Sequence, residues 1–199
     1  MLMDMHIHTH FSPCSVIDIL QLLRKAREIG LDGICITDHD TMASKSVFEN
    51  IADDLGLCVM VGMEYTTTKG DFLIFGPIEH IQPKMNAEDL LRWIQEEGGI
   101  AIPAHPFRKH RPVDMGVLQS SKIIEGLNGR NCPSENELSR NWAQKQGNGI
   151  KEIGGSDAHT IEEVGRMVTM FEKDIYNVEG LIKELHYGKY SPLQGHPGF

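Results

Sequence analysis

Apolar residues in this chain come in short runs separated by amphipathic stretches. Residues 15–30 read as a helix. Ile19, Leu22, Leu23 and Ala26 form one stripe, Ser15 is placed to cap the start with Asp18 three residues on, and Gly30 fits the stop. An apolar run at 33–37 follows as a buried strand, then a second helix at 44–55 and strands at 58–64 and 71–75. Asn86 is placed to cap a helix at 87–97 whose apolar face is Leu90, Leu91 and Ile94. Gly98 and Gly99 end it, and 100–102 and 123–127 read as strands. A helix at 133–146 opens with Pro133 near its first turn. Strands at 151–154 and 167–171, a helix at 178–186 and a tail at 191–199, flexible or packed late on the fold, complete the pattern.

Strands alternating with helices of this length predict an α/β fold with a mostly parallel sheet. An open doubly wound sheet and a barrel both satisfy that order. With 199 residues and no linker, repeat or low-complexity tract, the chain reads as one domain over 1–199. The side chains suited to chemistry fall at the ends of the proposed strands: His6, His8, His39, Glu64, His105, Asp157 and His159. In a parallel barrel those ends meet on one face, which brings together residues far apart in sequence.

Composition narrows the partners. The formal net charge of −9 argues against a broad nucleic-acid surface and leaves an oligonucleotide or nucleotide only as a substrate. The 4 cysteines, Cys14, Cys35, Cys58 and Cys132, form no CxxC pair, so a zinc knuckle is excluded. No stretch approaches the roughly 18 apolar residues of a membrane span, and the start lacks a signal-peptide pattern. A cytoplasmic protein without a membrane partner is the expectation; composition does not settle the oligomeric state.

Five segments carry the chemistry. In Asp4-Met5-His6-Ile7-His8-Thr9, the two imidazoles share one strand face and can chelate one ion. Thr37-Asp38-His39-Asp40 sets a histidine between carboxylates that can orient it. Glu64, ending an apolar run in Gly62-Met63-Glu64-Tyr65-Thr66, needs a partner or a cation if buried. Pro103-Ala104-His105-Pro106-Phe107-Arg108 holds His105 on a stiff backbone, with Arg108 near enough to clamp a phosphate. Gly154-Gly155-Ser156-Asp157-Ala158-His159 repeats the i, i+2 relation with Asp157 and His159. Each alone has an ordinary reading as a capped turn, a rim charge or a glycine loop. Together they form a mixed imidazole and carboxylate set suited to zinc, manganese or iron(II).

In these motifs, DMHIHT, ITDHDT, GMEYTT, AHPFR and GSDAH in that order, the chain resembles the PHP (polymerase and histidinol phosphatase) phosphoesterases over residues 4–159. The resemblance implies a distorted (β/α)7 TIM-like barrel holding two or three divalent metal ions. It implies that His6, His8, Glu64 and Asp157 hold the first ion and that Glu64 bridges to a second, joined by His105. Asp71 stands where members often have histidine. His39 and His159 would hold a third ion, with Cys14 or His10 in place of the usual acidic or histidine ligand of the loop after the first motif. Glu125 and Asn128-Gly129-Arg130 are similar to a pocket-lining segment, which makes Arg130 a second phosphate-binding candidate. The implied activity is hydrolysis of a small phosphorylated substrate, in which water acidified by the metals attacks phosphorus and His159 or Asp38 protonates the leaving group. The rival readings are a PHP-type 3′–5′ exonuclease, a metal-dependent amidohydrolase and a non-catalytic metal-binding domain. His80, His110, His186 and His196 match no motif and read as surface residues.

Overall fold

The computed structural model describes residues 1–49, 56–146 and 149–195. Strand β1 (Leu2–Ile7) leads into helix α1 (Ile19–Glu28) and β2 (Gly33–Ile36). Then come α2 (Lys45–Glu49), β3 (Cys58–Val61), β4 (Met63–Thr67) and β5 (Gly70–Phe75). The order continues with α3 (Ala87–Glu96), β6 (Ile100–Pro103), α4 (Met115–Leu118), β7 (Ile123–Asn128) and α5 (Pro133–Lys145). It finishes with β8 (Lys151–Gly155), a 3₁₀ turn (Ile161–Glu163), β9 (Met167–Phe171), α6 (Val178–Tyr187) and β10 (Tyr190–Gln194). Among the described residues, no helix is long and apolar enough to cross a membrane.

The expected (β/α)7 barrel of mostly parallel strands is corrected. The strands lie in three sheets, ordered β10-β9-β1-β2-β3, β4-β5-β6 and β7-β8, with no closed ladder among the described residues. Strand β2 pairs in parallel with β1 and β3, as does β7 with β8. The pairs β1–β9, β9–β10, β4–β5 and β5–β6 are antiparallel. Two local features cause this. Residues 58–64 do not form one strand, because the chain turns at Gly62, where any Cβ would press on the Ile74 carbonyl and the Phe75 ring. Glu64 therefore continues in a different sheet from Met60. Strand β5 then follows β4 after only residues 68 and 69, too few for a crossover, so it must return antiparallel. Isolated bridges, Ile7 with Ala158 and His39 with Glu64, join the sheets at their common end.

The helices follow the apolar stripes. In α1, Ile19, Leu22, Leu23 and Ala26 are buried, and each large aliphatic side chain contributes about 1.5–3 kcal/mol. Its cap is Asp18, which accepts from the Gln21 amide, not Ser15. The Ser15 hydroxyl instead donates to the His8 carbonyl at 2.9 Å, so residues 12–17 are drawn toward the end of β1. Asn86 caps α3 as its sequence predicts. Of the helix expected at 44–55, residues 45–49 are helical and 50–55 lie outside the described residues. The expected tail is a strand through Gln194, paired with β9, while residues 196–199, His196 included, lie outside the described residues.

Asp4 fastens the floor of the site. Fully buried, it accepts from the amides of Ser156 (2.8 Å) and Gly165 (2.9 Å), and burial pushes its carboxyl up to about 6 against those hydrogen bonds. Gly155 lies so close to β1 that an added Cβ would meet the His6 amide nitrogen at 2.8 Å and Glu125 Oε1 at 3.0 Å. Gly155→Ala is expected to cost about 1–3 kcal/mol by overpacking. That corresponds to a melting temperature lower by about 2–4 °C per kcal/mol. An unchanged thermal melt of the metal-free protein would show that β1 and β8 separate freely there.

Candidate metal centre

Strand alternation turns Asp4, His6 and His8 to one face, where all three have no exposure to solvent. The hydrogen bonds fix both imidazoles. His6 Nδ1 faces the Glu125 carboxylate at 2.9 Å, so Nδ1 carries the proton. Ser12 Oγ gives its only proton to Asp38 Oδ1 at 2.7 Å, so it accepts from His8 Nδ1 at 3.2 Å. Both Nε2 atoms are then left as lone-pair donors, and they face each other at 3.0 Å. Glu64 Oε2 lies 3.4 Å from His6 Nε2 and 3.1 Å from His8 Nε2; Asp157 Oδ1 lies 3.6 and 3.3 Å from them. Four electron-pair donors converge on one point, which a proton or a cation must occupy.

Glu64 also reaches His105 Nε2 (2.8 Å, through Oε1) and His39 Nδ1 (3.1 Å, through Oε2). His105 and Asp71 each keep a buried polar atom without a hydrogen-bond partner, Nδ1 and Oδ1 respectively. The other Asp71 oxygen pairs with Arg111 Nε at 2.6 Å. Burial and Glu64 push the Asp71 carboxyl up to about 6. Three donor groups result, each with ligand atoms within 4.8 Å of one another: His6, His8 and Asp157; Glu64, Asp71 and His105; His8, His39 and His159. Mixed nitrogen and oxygen donors with orphaned buried atoms fit a metal centre.

The backbone is strained where it serves this cluster. His105 and Asp157 adopt positive φ, 31° and 54°, which costs of order 1–3 kcal/mol each. The His105 amide is held by Glu125 Oε2 at 2.7 Å, and the Asp157 amide by the His6 carbonyl at 2.7 Å. His159 directs Nδ1 at the Asp157 carbonyl (2.9 Å) and Nε2 at Cys14 Sγ (3.1 Å).

Above the donors lies a cavity of about 430 Å³ whose wall includes Cys14, Arg108, Arg111 and Arg130. A larger cleft of about 700 Å³, between Phe48, Met60 and Tyr176, touches none of the candidate residues. Arg108 is anchored by Asn131 (2.9 Å), Asn128 (2.8 Å) and Asp157 (2.7 Å), which leaves its Nη1 without a hydrogen bond among the described residues. Arg130 is exposed, and its side chain has no hydrogen bond or ion pair among the described residues. Two sequence expectations are redirected. Asp38 does not reach the cavity; its carboxylate is fully buried and accepts from the Thr9 amide and hydroxyl and from Ser12, because the loop after β1 needs those groups satisfied. His10 is exposed, with its ring against Phe11 and Ile17, away from His39 and His159.

Proton uptake competes with metal here. Burial works to lower the His6 pKa, but Asp157, Glu125 and Glu64 outweigh it and hold it well above the ordinary value. His8 is raised in the same way, by Asp157 and Glu64 against burial. A raised histidine stabilises the metal-free fold below the unfolded value of about 6.5 and loses that contribution as pH rises through the folded value. Metal needs the same nitrogens unprotonated. Metal affinity is therefore expected to rise with pH, about tenfold per unit for each proton displaced, while the metal-free melting temperature falls. Competition titrations and melts at about pH 6 and about pH 8 check both signs.

A family model described as PHP-associated matches residues 133–190. An uncharacterized protein of Methanocaldococcus jannaschii, MJ1587, is 31% identical over 114 residues, covering 52% of this chain and 67% of that protein. PsfC from Pseudomonas syringae PB-5123 shares the fold with a TM-score of 0.77 at 19% identity, over 97% of this chain and 91% of that one. A candidate metal-dependent phosphoesterase from Bifidobacterium adolescentis does so at 0.66 and 15% identity, over 94% and 96% of the two chains. The PHP-associated match over residues 133–190, together with five strand-end motifs that meet at one pocket, supports placing this chain with the PHP-domain family.

Proposed function

We propose that the chain hydrolyses phosphate esters at a centre of two or three divalent metal ions. One observation carries this reading: three donor groups, two of them fully buried, and the side chains of Arg108, Arg111 and Arg130 border the same cavity. Donors for cations beneath guanidinium groups form a place for an anion that must be held and polarised at once. His6, His8 and Asp157 would hold one ion, with Glu64 shared toward a second that Asp71 and His105 complete. His39 and His159 would hold a third.

Bound divalent ions supply positive charge for the phosphoryl oxygens and make water acidic enough to act as a nucleophile near neutral pH. The chain's own groups do the rest. Arg130 lines the cavity wall with no hydrogen-bond partner among the described residues and takes a phosphate oxygen. Arg108, held rigid by Asn128, Asn131 and Asp157, presents its remaining nitrogen to the same group. Burial and His8 lower the His159 pKa to about 4 in the metal-free protein, and with Nδ1 turned to the Asp157 carbonyl its Nε2 is placed to serve as a ligand. With Asp38 turned away, the leaving group takes its proton from water in the open cavity. A small phosphorylated molecule is the substrate class we propose.

The test is metal content by elemental analysis, with hydrolysis of p-nitrophenyl phosphate and bis-p-nitrophenyl phosphate in the presence of manganese, zinc or iron(II). Metal uptake with turnover of either ester is the expected result, and the preferred ester separates monoesterase from diesterase. Metal bound without hydrolysis of either points to amide substrates, and absence of bound metal ends the reading.

A further inference from the structure

We infer that Arg111 is an exchangeable counter-cation for the donor group of Glu64, Asp71 and His105, a positioning residue that weakens the hold of that group on its ion. The inference rests on the metal-centre reading above and concerns an arginine to which that reading gives no separate role.

The fold sets a positive charge on a donor atom. Arg111 Nε meets Asp71 Oδ2 at 2.6 Å, and that same oxygen lies 4.0 Å from His105 Nε2. Asp71 is buried, and its other oxygen, Oδ1, has no hydrogen-bond partner. At Asp157 the arrangement is the reverse. Arg108 takes Oδ2 there, while Oδ1 is the oxygen that faces His6 and His8. Arg108 therefore sits behind its carboxylate, and Arg111 sits on the side of the imidazole.

The loop after β6 delivers the guanidinium to this place. The Arg108 amide donates to the His105 carbonyl at 2.9 Å, and the Arg111 amide to the Arg108 carbonyl at 3.1 Å. The Val113 amide donates to the Pro106 carbonyl at 3.0 Å and closes the loop. His105 and Arg111 thus share one folded segment. Thr66 pairs with Asp71 across β4 and β5, and Arg111 Nη2 donates to its hydroxyl at 3.1 Å. Arg108 has three side-chain partners and is 24% exposed. Arg111 has those two and is 48% exposed, so it has solvent to move into.

Charge decides the consequence. Glu64 and Asp71 bring two carboxylates beside one imidazole, and Arg111 cancels one of them. Without an ion, the guanidinium spares Asp71 the cost of an unpaired buried charge. An arriving ion meets a cation already in place, and like charges repel strongly where water is scarce. Either the ion displaces Arg111 toward the cavity it lines, or both stay and repel. Affinity falls in both cases.

The experiment titrates metal-free wild type, Arg111→Gln, Arg111→Lys and Asp71→Asn with manganese(II), counts free ion by electron paramagnetic resonance, and melts each chain without metal. The ion that Asp71→Asn loses identifies the group. Arg111→Gln should bind that ion about tenfold more tightly, while its metal-free melting temperature falls. Arg111→Lys keeps the charge and should bind it as wild type does. An arginine with a structural role alone would lower the melting temperature without tightening the ion. Unchanged or weaker affinity in Arg111→Gln, an equal gain in Arg111→Lys, or an Asp71→Asn chain that loses no ion overturns the inference and leaves the rest of the centre standing. A wild-type chain that takes up no manganese overturns the centre and this inference together.

Discussion

Glu64→Gln is expected to lower ester turnover by about 10³-fold, the scale lost when one preorganised charge is deleted from an active site. The Glu64 side chain reaches members of all three donor groups. Its carboxylate faces His6, His8, His39 and His105 at 3.4, 3.1, 3.1 and 2.8 Å. Glutamine keeps the shape and loses the charge. Its amide nitrogen would have to point at a lone pair already meant for an ion, or at another donor. Excess metal is not expected to restore turnover, because the group shared between ions is itself gone. Retention of full metal content with activity within tenfold of wild type would remove Glu64 from the centre.

The same substitution tests the metal-free fold. Burial alone would raise the Glu64 carboxyl, but His6, His105 and His8 outweigh it and hold it well below the ordinary range. A depressed carboxylate contributes stability above its unfolded value of about 4.3 and loses it as pH falls. Breaking a buried pair of this kind costs about 3–5 kcal/mol. Metal-free Glu64→Gln should therefore unfold at a lower temperature than metal-free wild type near neutral pH, and the gap should narrow as pH drops toward the carboxylate range.

How much of this was legible in the sequence depends on the range of the interaction. Helices announced themselves through local spacing, as in the Leu22, Leu23, Ala26 stripe of α1 and the Asn86 cap of α3. The candidate donors were legible because they follow apolar runs, and the structure does bring His6, His8, Glu64, Asp71, His105, Asp157, His39 and His159 to one place. The sheet pairing was not legible. The break within residues 58–64 falls at Gly62, where only glycine fits beside Ile74 and Phe75 of another strand, and nothing local to Gly62 announces that neighbour. Strand direction after β4 depended on a turn too short to cross over, which alternation of strands and helices concealed. Arg111, which no motif singles out, is the partner of a buried carboxylate, Asp71. Ser12, equally unmarked in the sequence, links Asp38 to His8.

Glu125 is the other group whose role only the fold discloses, although a charge inside the apolar run of β7 was a signal that it needed partners. It has no solvent exposure, and every neighbour donates to it: His6 Nδ1 at 2.9 Å, the His105 amide at 2.7 Å and Asn128 Nδ2 at 3.0 Å. One carboxylate thus orients ligands of two different donor groups, fixing the His6 tautomer and holding the strained backbone of His105. Glutamine cannot replace it, because its amide NH₂ must confront either the His6 proton or the His105 amide. Glu125→Gln is expected to weaken metal binding by about 10–100-fold, the range for partners that orient a ligand. The unmatched donors should cost a further about 1–3 kcal/mol of stability. Unlike Glu64→Gln, this variant should recover most of its turnover at saturating metal, since all the proposed ligands remain. Activity measured against metal concentration separates the two cases: a shifted midpoint with a near-normal plateau identifies Glu125 as a positioning residue, and a collapsed plateau would put it among the groups that touch the ions or the substrate.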